Sequence, residues 1–225
     1  MNPEANTACI HATPLATPAA LLQIACVGAA PLFVRSGFEG SGEAGGHASW
    51  EAMARLAGEP IVAPSRAARR ALASELLVAG LPLAALPVES LHKPWCTPDG
   101  VMRASRGMYG GESAQHARAL CDACGLSVPR EFAAMPDHLA LLLELLAFFL
   151  EAGDEPSART LVHDHFDWLG SYDATLAARA EQIAGAPAFD EEKRRDLAEG
   201  IAFMRAVVRS VDGAVHGWAD GSAQG

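Results

Sequence analysis

With 225 residues, 50% of them hydrophobic, the chain can bury one sizeable core, which points to one domain rather than several. Its formal net charge is −10, from 27 acidic against 17 basic residues, and this argues against nucleic acid as a partner, because phosphate binding needs Lys and Arg clustered on one face. The five cysteines, Cys9, Cys26, Cys96, Cys121 and Cys124, are an odd number in a chain too long to need covalent staples, and they read as free thiols of a reducing compartment.

Residues 1–18 are rich in Ala, Thr and Pro and read as a loose N-terminal arm. A first helix is expected over 18–27. The apolar run 19–34 is no secretory signal, since no basic residue precedes it and Gly28 and Pro31 interrupt it. Residues 38–46, "FEGSGEAGG", read as a flexible loop and 48–57 as a short helix. A strong helix is expected over 64–79, where Ser65 can cap and Gly80 follows the end. Residues 81–108 are irregular, because Pro82, Pro87, Pro94 and Pro98 forbid a long helix. Long ordered loops of this kind are often functional.

Helical character returns over 112–124 and stops at Gly125. The greasiest segment is "MPDHLALLLELLAFFLE", residues 135–151, with a helix expected over 137–152. It is too short to span a bilayer, which takes about 20 apolar residues. Asp137 stands where its cap belongs and His138 at its first helical position. Glu144 is a lone carboxylate in an apolar run. It is expected to be substantially buried and tethered by a hydrogen-bonding partner, because an unpaired buried charge is very costly. Helices over 156–168, 172–183 and 190–219 complete the chain, the last with Asp190 as cap and Glu191 and Glu192 in its first turn. Period-two alternation is nearly absent, so no strand is expected and the fold class is all-α. The domain reading is an arm over 1–18, an all-helical domain over 19–219 and a disordered tail over 220–225.

Several constellations invite chemistry. Cys121 and Cys124 lie three apart on one helix, but there is no second Cys pair to complete a zinc site, and Cys96 and His116 add only a loose set. His163 and His165 sit two apart on a helix and therefore face away from each other. Arg69-Arg70 is internal and reads as a solvated helix face. The P-loop, the Gly-rich dinucleotide fingerprint and the serine nucleophile elbow are all missing from the sequence. A helical metal- or ligand-dependent enzyme using Asp137, His138, Glu144 and His165 is the alternative in another class, and a constitutive subunit of an assembled enzyme is a third reading.

Four segments together carry a resemblance: "VESLHKPW" (88–95), "YGGESAQHARALCDACGL" (109–126), "MPDHLALLLELLAFFLEAG" (135–153) and "HDHFDWLGSY" (163–172). Their order and spacing resemble the TorD/DmsD/NarJ family of redox-enzyme maturation chaperones, with the members serving type II molybdenum enzymes of the dimethyl sulfoxide reductase superfamily as the nearest pattern. The resemblance implies a single-domain TorD-like helical bundle in the cytoplasm, with no catalytic activity, no cofactor and no metal. The implied partner is the apo catalytic subunit of a molybdenum enzyme with its twin-arginine leader, held until the cofactor is in place and export can proceed. Membrane insertion is not expected, and monomer and homodimer both stay open. Carried over by position, Ser90, Leu91, His92, Trp95, Gly111, Asp137 and His138 fall in the implied leader- and client-binding region. On this reading Asp137 stands at a groove rim to meet a leader arginine, while Glu144, His165 and Trp168 are structural.

Overall fold

The computed structural model describes residues 17–40, 48–58, 60–96, 102–103 and 108–221. Most of the expected arm (1–16), loop (41–46) and tail (222–225) therefore lies outside the described residues. The described residues form an α-helical bundle, as the missing alternation implies.

The first helix, α1 (Pro18–Ala29), starts where Thr17 Oγ1 accepts from Ala20 N at 3.2 Å, with Pro18 at a position that needs no N–H donor. A 3₁₀ turn (Ala30–Phe33) leads to α2 (Arg35–Gly40), so residues 38–40, expected in the loop, are helical instead. α3 (Ala48–Ala57) matches its expected span. α4 (Arg66–Glu75) is capped by Ser65, whose Oγ accepts from Ala68 N at 3.1 Å. Ser65 also donates through N and Oγ to Glu199 at 2.6 and 3.0 Å, which ties the start of α4 to the last helix.

The Pro-rich stretch holds one short helix, α5 (Glu89–His92), and two two-residue strands, β1 (Trp95–Cys96) and β2 (Met102–Arg103), paired antiparallel. No strand was expected there. Two residues are too few to show alternation, which is why the pattern is silent. α6 (Gly111–Ala123) follows, and then α7 (Leu139–Glu151) after a 3₁₀ turn (Arg130–Phe132). α8 (Glu155–His165) begins at Asp154, whose carboxylate accepts from Ser157 N, and it ends three residues earlier than expected. α9 (Leu169–Ala184) and α10 (Glu191–Ala219) complete the described chain, with Asp190 capping α10 by accepting from Lys193 N at 2.8 Å.

α7 runs through the core between α1 and α8, with Leu139, Leu142, Leu143 and Leu146 essentially inaccessible. One stripe is not covered. Glu144, Phe148 and Glu151 lie on one face at helical spacing and are exposed. The expectation of a buried, tethered Glu144 is therefore overturned. The run looks apolar all round because Phe148 occupies an outward position, which disguises the solvent face.

α10 packs against α3, α4 and α9. Gly200 lets it approach α4 closely: a Cβ there would sit 2.9 Å from the Ala68 carbonyl oxygen and 2.9 Å from Leu72 Cβ. Arg205 of α10 donates to both carboxylate oxygens of Asp173 in α9, at 2.8 and 3.0 Å.

Candidate functional site

Two short backbone links bring the starts of α5 and α7 together. Val88 and His138 form an isolated antiparallel bridge, and Leu139 N donates to Pro87 O at 2.8 Å. Proline residues keep this stretch extended before α5, so its carbonyls are free to meet α7. Asp137 completes the seam. Its Oδ2 accepts from Ser90 N at 2.7 Å, and its carbonyl accepts from Glu89 N at 3.2 Å. Asp137 thus caps a helix, but α5 rather than its own. The cap of α7 is His138, whose Nδ1 accepts from Ala140 N at 3.2 Å and whose ring packs on Phe132 with centroids 4.8 Å apart. The sequence reading had the two roles displaced by one residue.

The corner is dry. Asp137 is 0% and Ser90 1% exposed, and His138 is also buried. Burial raises the Asp137 carboxyl above the usual carboxylate range, against the Ser90 backbone N–H bond that favours its charge. Burial pushes His138 down to about 3, so its ring stays neutral and Nε2 carries the proton. Asp137 Oδ1 and Ser90 Oγ have no hydrogen-bond partner among the described residues. Asp137 is therefore placed inside the fold and not at a rim.

His92 is buried as well. Its Nε2 meets Leu86 O at 3.1 Å and its ring stacks on Trp168, centroids 5.2 Å apart. Trp168 donates through Nε1 to His165 O at 2.7 Å. Leu91 is half-buried, and at Trp95 only the backbone is described. Gly111 opens α6 with φ +83°, and Gly110 before it has φ +96°; side chains rarely adopt this left-handed conformation.

Beside the corner lies a cleft of about 680 Å³, bordered by Glu89 of α5 and Lys93 just after it, Glu112 and His116 of α6, and Asp164 and His165 of α8. Glu89 forms its floor and is 0% exposed. Both its oxygens are engaged: Oε1 accepts from Lys93 Nζ at 2.9 Å, and Oε2 lies 2.6 Å from His165 Nδ1. An ionised carboxylate can only accept, so His165 donates through Nδ1. His165 Nε2 lies 2.9 Å from His116 Nδ1, one ring nitrogen donating to the other. Lys93 also reaches Asp167 Oδ1 at 2.6 Å and Asp164 O at 2.8 Å. Burial works against its charge, but the bonds and charges of Asp167 and Glu89 outweigh it and raise Lys93 above the ordinary lysine value.

Of the residues singled out in the sequence, Ser90, Asp137 and His138 are joined in the corner and His165 borders the cleft. The alternative enzyme set of Asp137, His138, Glu144 and His165 is not assembled, because Glu144 lies on the exposed stripe of α7. His163 and His165 do face apart, the first exposed and the second 1% exposed. Glu89, Lys93, Glu112 and Asp164 were missed. The i,i+4 spacing of Glu89 and Lys93 within "ESLHK" was a readable signal. No local pattern announces a bond between His116 and His165.

The family model described as nitrate reductase delta subunit matches residues 47–182, more than half of the chain and every cleft residue named above. The chain belongs to the nitrate reductase delta subunit family. This is the NarJ/TorD type of chaperone, which matures molybdenum enzymes, and the helical bundle agrees with it. No curated protein and no solved structure matches the chain. Helices α1 and α10 lie outside the matched segment, while α5, α6, α7 and α8, which build the corner and the cleft, lie inside it. Among the described residues no helix is long and apolar enough to cross a membrane.

Proposed function

We propose that this member of the nitrate reductase delta subunit family is a cytoplasmic, non-enzymatic chaperone. Its client is the apo catalytic subunit of a molybdenum oxidoreductase, and it engages the client's twin-arginine leader until the cofactor is inserted. The observation that carries the reading is the family match over 47–182. The open polar cleft within that segment supports it, because a peptide-binding chaperone needs an accessible groove on a rigid frame. In this reading Ser90, Asp137 and His138 act through the frame, fixing α5 against α7. Leu91, Trp95 and Gly111 belong to the segments beside the cleft.

The test is calorimetry of the full chain with its client's leader peptide, in native form and with both arginines changed to alanine. The native peptide should bind and the altered one should lose about tenfold or more, which corresponds to about 1.4 kcal/mol. Equal binding of the two would remove arginine recognition from the proposal. Capture of a leaderless client with undiminished affinity would move recognition to the client's body.

A further inference from the structure

The cleft does not end at His116. A second hollow, of about 260 Å³, continues between α6 and α8 and shares His116 and Asp164 with the cleft. Its surroundings change character: Leu120, Phe149 and Leu161 contribute apolar surface, with Thr160 and Ser157 beside them. α6 makes its main contacts with α5 and β1, and α8 with α7 and α10. The His116–His165 hydrogen bond links α6 to α8 where the two hollows meet.

We propose that the two hollows form one groove with a direction. The polar end takes the basic residues of a leader, and the apolar end takes a leucine-like side chain of the apolar run that follows them. This assignment rests on the leader reading above and locates it. The occupant's chemistry follows from the surroundings. Among the described residues, three carboxylates, Glu89, Glu112 and Asp164, border the polar end against one ammonium, Lys93, which is itself engaged by Glu89 and Asp167. Glu112 and the partly exposed Asp164 stand where an incoming guanidinium can reach them. An export leader carries positive charge before its apolar run, which is the order of polar and apolar surface along α6. The second hollow is small beside ordinary ligand pockets of about 300–1,000 Å³, a size that suits a side chain rather than a separate ligand.

The geometry also sets a spacing. Along α6, Glu112 and Leu120 are separated by about 12 Å at 1.5 Å per residue. A helical leader covers that distance in about eight residues, and an extended one at about 3.3 Å per residue in about four.

The experiment uses the full chain and fluorescein-labelled 20-residue peptides in anisotropy titrations. The parent peptide carries Arg-Arg followed by a run of alanines with a single leucine, and the leucine is moved along the run. Control peptides replace Arg-Arg by Gln-Gln or the leucine by serine. Affinity should peak with the leucine about four to eight residues after the arginines. Glu112→Lys combined with Asp164→Asn should lose at least tenfold on the Arg-Arg peptide and little on the Gln-Gln peptide. Thr160→Trp, a change at an exposed position that fills the apolar hollow, should lose at least tenfold on the leucine peptide and little on the serine peptide. Ser157→Trp repeats that test from the neighbouring turn, and circular dichroism melts check that each variant is folded. If the parent peptide binds but folded variants keep both preferences, the groove assignment is wrong and the leader reading stands. A flat leucine scan overturns the directed groove in the same way. If the wild-type chain binds no Arg-Arg peptide, the leader reading falls and the groove assignment with it.

Discussion

The corner and the cleft are each built on a carboxylate with no exposure to solvent, Asp137 in one and Glu89 in the other. They are satisfied in opposite ways. Glu89 has a donor on each oxygen, an ammonium on one side and an imidazole on the other, and the chain continues to His116 and open water. Asp137 has one backbone N–H on Oδ2, no partner on Oδ1 among the described residues, and a carboxyl raised by burial. A buried acid with basic partners can transmit what happens at a surface. A buried acid held by neutral backbone can only fix geometry. On the proposed reading, the difference separates a recognition surface from the frame behind it.

The sharpest way to break this contrast is to remove the acids. Glu89→Ala should destabilise by about 3–5 kcal/mol, because it leaves Lys93 and buried His165 without their shared partner. Asp137→Asn should cost about 1 kcal/mol or less, since the amide oxygen can still accept from Ser90 N and no charge is lost that burial favoured. Urea melts of the two variants check the order, and a larger loss for Asp137→Asn would invert the assignment of frame and surface.

His138 gives the next effect. Its folded value, about 3, lies below the ordinary histidine value near 6.5. Above about pH 6.5 the ring is neutral in both states and costs nothing. As pH falls below that value the unfolded chain takes up a proton that the folded chain refuses, so stability drops until the folded value is reached. Between pH 7 and pH 5 the loss from this residue should be about 2 kcal/mol. Raised Asp137 works in the other direction, gaining stability on acidification, so the readout is a difference. His138→Asn keeps a capping acceptor and should flatten the pH dependence relative to wild type. Parallel slopes for the two proteins would show that His138 does not hold its neutral form.

The smallest effect is expected on the exposed stripe. Glu144→Ala should change stability by no more than about 0.5 kcal/mol in a thermal melt, as is usual for a surface site. A loss of several kcal/mol would mean that the carboxylate has a buried partner after all.

The helices were legible because their signals are local. Ser65 and Asp190 cap where a hydroxyl or carboxylate precedes an apolar-periodic run, and the long α10 announces itself by acids in its first turn. Glu144 was misread because an outward Phe148 hides the solvent face of α7, and composition does not reveal which apolar residue points out. The Pro-Asp-His corner stood out in the sequence, yet its meaning depended on Ser90, 47 residues away. The cleft was less legible still. Its central bonds join Glu89 to His165 across 76 residues and His165 to His116 across 49, and each partner alone is an ordinary polar residue. The family resemblance reached the right segment without saying which of its side chains face water.

The close pass of α10 over α4 sets a limit on stabilising the protein by design. Replacing a helical glycine with alanine commonly gains about 1 kcal/mol through helix propensity. At Gly213, where an added methyl meets nothing within 4 Å, that gain is open. At Gly200 the same change drives the methyl into the Ala68 carbonyl oxygen and Leu72, and the two helices must part to admit it. Helix-strengthening substitutions that are interchangeable by sequence rules are therefore opposite in sign thirteen residues apart on one helix, and a consensus or propensity-guided library should hold position 200 fixed while varying 213.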